Sequence, residues 1–225
     1  MKKALSLILT LVLCLSLSLP ALAAAPTDAD QENAAWTLYH MGLFQGTDTD
    51  KEGFPVFSLS DAPTRAQGVT MLVRLLGQEK AALEGTWTTP FTDVPEWAQP
   101  YVGYAYEKGY TNGYTATSFR PAGAVNAYQY TEFVLRAMGY SSAANKNLSD
   151  TLLRAVNAGV LTDGDAAMLQ SAAFLRAQLV YISYYALEAD LPDGSQSLAD
   201  RLMDLGVFTR DEWRGSWKLV KSDRL

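Results

Sequence analysis

The chain has 225 residues, 18 Lys+Arg against 24 Asp+Glu for a formal charge of −6, 48% hydrophobic residues, one cysteine and one histidine. An acidic chain without a basic run is a poor candidate for nucleic acid, where affinity rests on neutralising phosphates. Any anion it binds must therefore be met by a few individually placed arginines. The amino terminus reads MKKALSLILTLVLCLSLSLPALAAAP: two lysines, an apolar run from Ala4 to Leu19, a helix-breaking Pro20, and small residues at Ala21 and Ala23. That is the layout of a secretory signal peptide, 1–23, cleaved after Ala23. The rival reading is a retained anchor, but the run is shorter than the ~20 residues a spanning helix usually needs. Cys14 lies inside the signal, and Leu13 stands before it where a lipoprotein would have a small residue. The mature chain then has no thiol, hence no disulfide, thiolate metal site or cysteine nucleophile. Losing Lys2 and Lys3 takes its charge to 16 − 24 = −8, and no later segment is apolar enough to cross a membrane.

Four later segments each end in a glycine-marked turn: LYHMGLFQG (Leu38 to Gly46), AYEKGYTNG (Ala105 to Gly113), AVNAGVLTDG (Ala155 to Gly164) and LMDLGVFTRDEW (Leu202 to Trp213). Gly42, Gly109, Gly159 and Gly206 sit where a helix C-terminus favours a left-handed residue. A second amphipathic helix follows the first three turns, with stripes Val69, Leu72, Val73, Leu76; Phe133, Val134, Ala137, Met138; and Leu179, Ile182, Ala186. Such stripes recur at three- and four-residue steps and must be buried against a neighbour. The expected fold is all-α: three helix-loop-helix repeats at 28–85, 86–142 and 143–190, the third degenerate. A C-terminal partial fourth unit and tail at 191–225 serve as a cap. In it, Leu198, Leu202 and Leu205 form an apolar stripe, and the chain stops without a second helix.

The second helices begin with related tetrapeptides, TRAQ (Thr64 to Gln67), NAYQ (Asn126 to Gln129) and LRAQ (Leu175 to Gln178). Thr64 with Gln67 and Asn126 with Gln129 read as capping boxes. Leu175 has no side-chain acceptor, which places the third helix start earlier, at Ser171. Caps leave Arg65 and Arg176 unexplained, since a cation in the first turn opposes the helix dipole. An arginine placed there twice suggests a nearby anion; the alternative is a solvated arginine, or one paired with an acid across the repeat interface.

DTDKEG (Asp48 to Gly53) has the first two spacings of a calcium loop but misplaces the glycine and the distal glutamate, so it reads as a polar turn. TDGD (Thr162 to Asp165) reads likewise. His40 stands near a helix end, and neither G-x-S-x-G nor H-E-x-x-H occurs. Paired carboxylates could hydrolyse a glycan, yet none is singled out by context. No enzyme activity, cofactor or metal is expected.

The second unit carries FTDV (Phe91 to Val94), Trp97-Ala98, GYTNGY (Gly109 to Tyr114) and FRP (Phe119 to Pro121). With these marks it resembles an S-layer homology repeat. The first unit is similar through GLFQG, Phe57, TRAQ and LVRLLG. The third keeps LTDG and LRAQ. The resemblance covers roughly Asp28 to Leu187 and implies a pseudo-threefold helical spindle. Such repeats attach exported bacterial proteins to the envelope through secondary cell-wall polysaccharide, often carrying pyruvate ketals. In the family the motif arginine meets the acidic sugar in grooves between repeats, a role that falls here on Arg65 and Arg176. A guanidinium suits a carboxylate through two parallel hydrogen bonds, and the free amides of the first helical turn would add to the anion site. All three motifs put glutamine where the family usually has glutamate, and Ala127 replaces the arginine in the second unit, whose groove should be weak. Trp97 and Tyr114 suit stacking on sugar faces or pinning helix to loop. Arg120 fits ligand contact or a stem laid over an aromatic ring. Arg74, inside its helix, reads as structural. The basic stretch with Trp213 and Trp217 is either a packed tail or a further contact. The implied protein is secreted and held at the cell wall; another envelope protein is the alternative partner.

Overall fold

The described residues of the computed structural model are 28–217, so the signal segment and the tail after Trp217 lie outside them. Ten helices and one hairpin carry this stretch: α1 (Asp28–His40), β1 (Asp48–Thr49), β2 (Pro55–Val56), α2 (Arg65–Leu75), α3 (Glu79–Glu84), a 3-10 turn (Glu96–Ala98) running into α4 (Gln99–Glu107), α5 (Ala127–Met138), α6 (Thr151–Asn157), α7 (Asp163–Ser171), α8 (Arg176–Ala186), α9 (Leu198–Asp204) and α10 (Arg210–Trp217). The architecture is helical. The two short strands pair antiparallel with Asp48 opposite Val56 and Thr49 opposite Pro55. Between them Asp50 accepts from the amides of Glu52 and Phe54, which makes DTDKEG a hairpin turn.

Local chemistry places most helix ends. Thr64 and Asn126 each accept from the amide of a glutamine three residues on, and that glutamine closes the box on the cap amide. Gly42, Gly109, Gly159 and Gly206 all adopt φ between 72° and 74°, the left-handed region that ends a helix at low cost only for glycine. Two expectations fail. TDGD is a helix start: Thr162 caps α7, with Asp165 answering on the cap amide, because T-x-x-D satisfies a capping box as well as a turn. Ser171 ends α7 and does not begin the next helix, which starts at Arg176. There Gln178 still accepts from the Leu175 amide, so half a box is enough.

The remaining donors at that end are met from another unit. The amides of Arg176 and Ala177 donate to the carbonyls of Asp61 and Leu59, at 2.9 and 3.0 Å. The amides of Arg65 and Ala66 donate to Gly123 and Pro121 in the same manner, at 2.8 and 3.0 Å. A loop of the following unit thus caps the central helix of the one before it, answering donors that a helix leaves unsatisfied.

The central helices α2, α5 and α8 all touch one another. Around them α4 packs on α2, α6 on α5, and α1 on α8, so each unit's first helix lies against the second helix of its predecessor and the ring closes. Leu72, Leu135, Leu179 and Ile182 are fully buried there, each worth about 1.5–3 kcal/mol relative to exposure. The Tyr130 hydroxyl and Ser183 Oγ meet at 2.6 Å in this interior. Gly68 lets α2 approach closely, since a Cβ on it would stand 3.3 Å from Val125.

The C-terminal unit differs from expectation. Leu198 and Leu202 are buried, but Leu205 is 64% exposed, because the helix ends at Asp204 and turns outward. A second helix, α10, does follow, and it packs on α1. Val207 occupies the space beside Gly77, where a Cβ would come within 2.5 Å of its methyls. This unit therefore joins the end of the third unit to the first instead of covering the third alone.

Candidate functional site

Two junctions between units open as grooves. The first, a cavity of about 500 Å³, is built by Arg65 of α2, the loop Asn112 to Ala116, and Gln129, Glu132, Phe133 and Arg136 of α5. The second, about 360 Å³, repeats that plan with Arg176 of α8, the loop Gln45 to Thr47, and Gln67, Thr70, Met71 and Arg74 of α2. Tyr114 is half exposed on the first groove, and Trp97 half exposed on the second. The aromatics of the second unit thus serve different grooves.

Arg65 and Arg176 are buried, with 7% and 3% of their surface exposed. They are neither solvated nor paired with an acid: among the described residues no carboxylate stands within ion-pair distance of either. Arg65 donates from Nη2 to the Asn112 carbonyl at 2.7 Å and weakly to Thr111 Oγ1 at 3.5 Å, while its Nε is buried with no hydrogen-bond partner. Its guanidinium lies 4.7 and 5.0 Å from the ring centroids of Phe119 and Phe133. Burial, and after it the charge of Arg136, lowers its pKa to about 10, which leaves it cationic at neutral pH. Arg176 donates from Nε to the Phe57 carbonyl at 2.8 Å, with the Phe44 ring at 5.4 Å. Burial lowers its pKa as well, against the opposing charge of Asp61, which lies beyond ion-pair distance. A buried cation without a direct ion-pair partner is costly, most of all at Arg65. The first-turn amides do not add to an anion site, contrary to expectation, because loop carbonyls already occupy them.

Arg120 reaches the first groove only through Tyr114. Its guanidinium stacks 3.6 Å from that ring's centroid, and its φ of 57° is held by Asp93. The Asp93 carboxylate accepts from Ser118 Oγ, the Phe119 amide and the Arg120 amide at 2.7, 2.8 and 2.9 Å. Desolvation raises its pKa, but these bonds together outweigh it, taking the pKa to about 2. The aspartate of FTDV is thus the anchor of the FRP loop.

Two groove residues, Glu132 and Arg136, carry no mark in the sequence, and a third, Arg74, reads there as structural. Arg136 lines the first groove and pairs with buried Glu132 at 2.9 Å. Glu132 also receives Arg154, Ser141 and Thr151. Arg74, read as structural, does pair with Glu79 at 2.8 Å, yet it also lines the second groove. The signal lay in the repeat itself: Arg74 and Arg136 occupy the same register, three residues before Gly77 and Gly139. At the third junction Ala127 and Tyr185 stand at the two arginine positions, and both are buried. Among the described residues no cluster of His, Cys, Asp or Glu is gathered for a metal, and no helix is long and apolar enough to cross a membrane.

The S-layer homology domain family matches residues 90–126, from just before FTDV through FRP to the cap of α5. A cell surface protein of Thermoanaerobacter kivui is 29% identical over 199 residues, covering 83% of this chain and 24% of that protein. An endoglucanase of Bacillus sp. (strain KSM-635) is 33% identical over 157 residues, 59% of this chain and 16% of the enzyme. A surface layer protein of Brevibacillus choshinensis is 29% identical over 148 residues, 62% of this chain and 13% of its own length. The chain thus spans a quarter or less of each of these relatives. The second unit thus matches the S-layer homology domain, and the helical ring that contains it is similar in sequence to parts of bacterial cell-surface proteins.

Proposed function

We propose that the chain attaches non-covalently to the cell wall by binding acidic secondary cell-wall polysaccharide in the two grooves. The carrying observation is the pair of buried arginines, Arg65 and Arg176, that face into the grooves with no carboxylate partner among the described residues. A sugar carboxylate would supply a direct ion-pair partner through charge-assisted hydrogen bonds. Tyr114 on one groove and Trp97 on the other offer flat apolar faces for the adjoining sugar ring. Arg120 fixes the Tyr114 ring. The third junction, with Ala127 at the arginine position, contributes packing rather than binding. The role is one of attachment and not catalysis: the endoglucanase relative is matched over only 16% of its length, and the grooves present arginines, not a pair of carboxylates facing each other across a sugar.

The test is sedimentation of the chain beginning at Ala24 with purified sacculi, with and without their secondary polymer. Polymer-dependent sedimentation that disappears in the Arg65→Ala, Arg176→Ala double variant supports the reading. A wild-type chain that stays in solution with intact sacculi rejects it.

A further inference from the structure

In each groove a second arginine accompanies the first, and it comes from a different unit. Arg65 of the first unit shares its groove with Arg136 of the second, and Arg176 of the third shares its groove with Arg74 of the first. The two positions are linked in register: Arg74, Arg136 and Tyr185 follow Arg65, Ala127 and Arg176 by nine residues. Because each unit's central helix supplies one position to the groove on either side of it, the third junction would draw on Ala127 and Tyr185. Both cations are missing there together. If Arg74 and Arg136 merely pinned their own helices, their presence would have no reason to follow the first-turn arginine of a neighbouring unit.

Resting on the wall-binding reading, we propose that the anion is clasped between guanidiniums of two consecutive units, Arg136 beside Arg65 in the first groove and Arg74 beside Arg176 in the second. The ligand group is one whose oxygens can face two donors at once, a carboxylate or a phosphate. Neither second arginine is saturated by its acid. Glu132 is shared between Arg136 and Arg154, and Glu79 accepts from Tyr101 and Gln45 in addition to Arg74. The Arg65 Nε is buried without a partner at the same site. An anion so held ties two units together, so binding stabilises the ring as well as the attachment.

The experiment isolates one groove at a time, using polymer-bearing sacculi as the probe and binding isotherms at several salt concentrations. In the Arg65→Gln background, which leaves the second groove, Arg74→Gln is expected to weaken binding at least about tenfold. The slope of log affinity against log salt should fall by about one, and Arg74→Lys should restore the slope but not the full affinity. In the Arg176→Gln background Arg136→Gln should behave alike. Arg136 is the more buried of the pair, so Arg74, on a partly exposed ion pair, keeps the test open if Arg136→Gln fails to fold. Native affinity and slope for Arg74→Gln in the Arg65→Gln background overturn the clasp while leaving wall binding intact. Failure of the unmodified chain to sediment with the sacculi overturns both.

Discussion

Replacing Glu132 by alanine removes the carboxylate on which the wall of the first groove is organised. Glu132 is 1% exposed. It accepts from Arg136 Nε at 2.9 Å, Ser141 Oγ at 2.6 Å and Thr151 Oγ1 at 3.2 Å, and pairs with Arg154. Without it the Arg136 and Arg154 guanidiniums face each other with no shared acid, and Ser141 and Thr151 lose an acceptor. Breaking a buried pair from one side costs about 3–5 kcal/mol. Arg154 is partly solvated and keeps Asp150 at 3.2 Å, so the lower half of that range, about 3–4 kcal/mol, is expected. At roughly 2–4 °C per kcal/mol for a chain of this size, the melting temperature should drop by about 6–16 °C. Urea unfolding followed by far-ultraviolet circular dichroism measures the loss. Glu132→Gln, which keeps an acceptor but not the charge, should lose less. A double-mutant cycle of Glu132→Ala with Arg136→Ala should show strong coupling. A loss under about 1 kcal/mol for Glu132→Ala would refute the reasoning, since surface pairs contribute only that much.

Asp93 gives a pH prediction of definite sign. Its native pKa of about 2 lies below the ordinary 3.8, so its stabilisation is present above about 3.8 and is lost as pH falls toward 2; the carboxylate is exposed, and about 1 kcal/mol remains after solvent screening. Urea midpoints of the normal chain and Asp93→Asn should therefore differ at pH 5 and converge near pH 2; a constant difference contradicts it. Gly77→Ala forces a Cβ into Val207 at φ +64° and should cost about 1–3 kcal/mol. Val207→Ala should recover the clash but not the backbone strain, as read from thermal melts. Binding through the first groove, where Lys146 joins Arg65 and Arg136 on the walls, should be more salt-sensitive than binding through the second, since the second arginine of each groove is paired alike, with Glu132 or Glu79. Sedimentation isotherms of the two single-groove variants in rising salt compare them.

Features encoded within one turn of chain were legible in the sequence. The capping boxes at Thr64 and Asn126, the left-handed glycines and the buried stripes each depend on residues three or four apart, and the helices formed where those signals stand. Thr162 was ambiguous because a hydroxyl three residues before an aspartate serves a turn and a helix start equally well. The start at Arg176 was hidden, since its amides are met by Asp61 and Leu59 from more than a hundred residues away. Leu205 fits a stripe on paper, but the helix ends before its side chain turns inward. For the site, Arg65 and Arg176 were legible because they contradict the helix dipole. Arg74 and Arg136 agree with it, standing in the last turn where cations are favoured, so Arg74 reads as structural and Arg136 does not stand out. Their meaning appears only when the ring sets each beside the first-turn arginine of another unit.

The central claim is that an acidic group on the polymer meets Arg65 and Arg176. Titration calorimetry of the purified secondary polymer into the chain beginning at Ala24 tests it most directly, with native polymer compared against polymer whose carboxylates have been reduced to alcohols. Native polymer should bind, with near-complete loss on reduction and the same loss for native polymer with the Arg65→Ala, Arg176→Ala variant. Equal affinity for native and reduced polymer would contradict the claim.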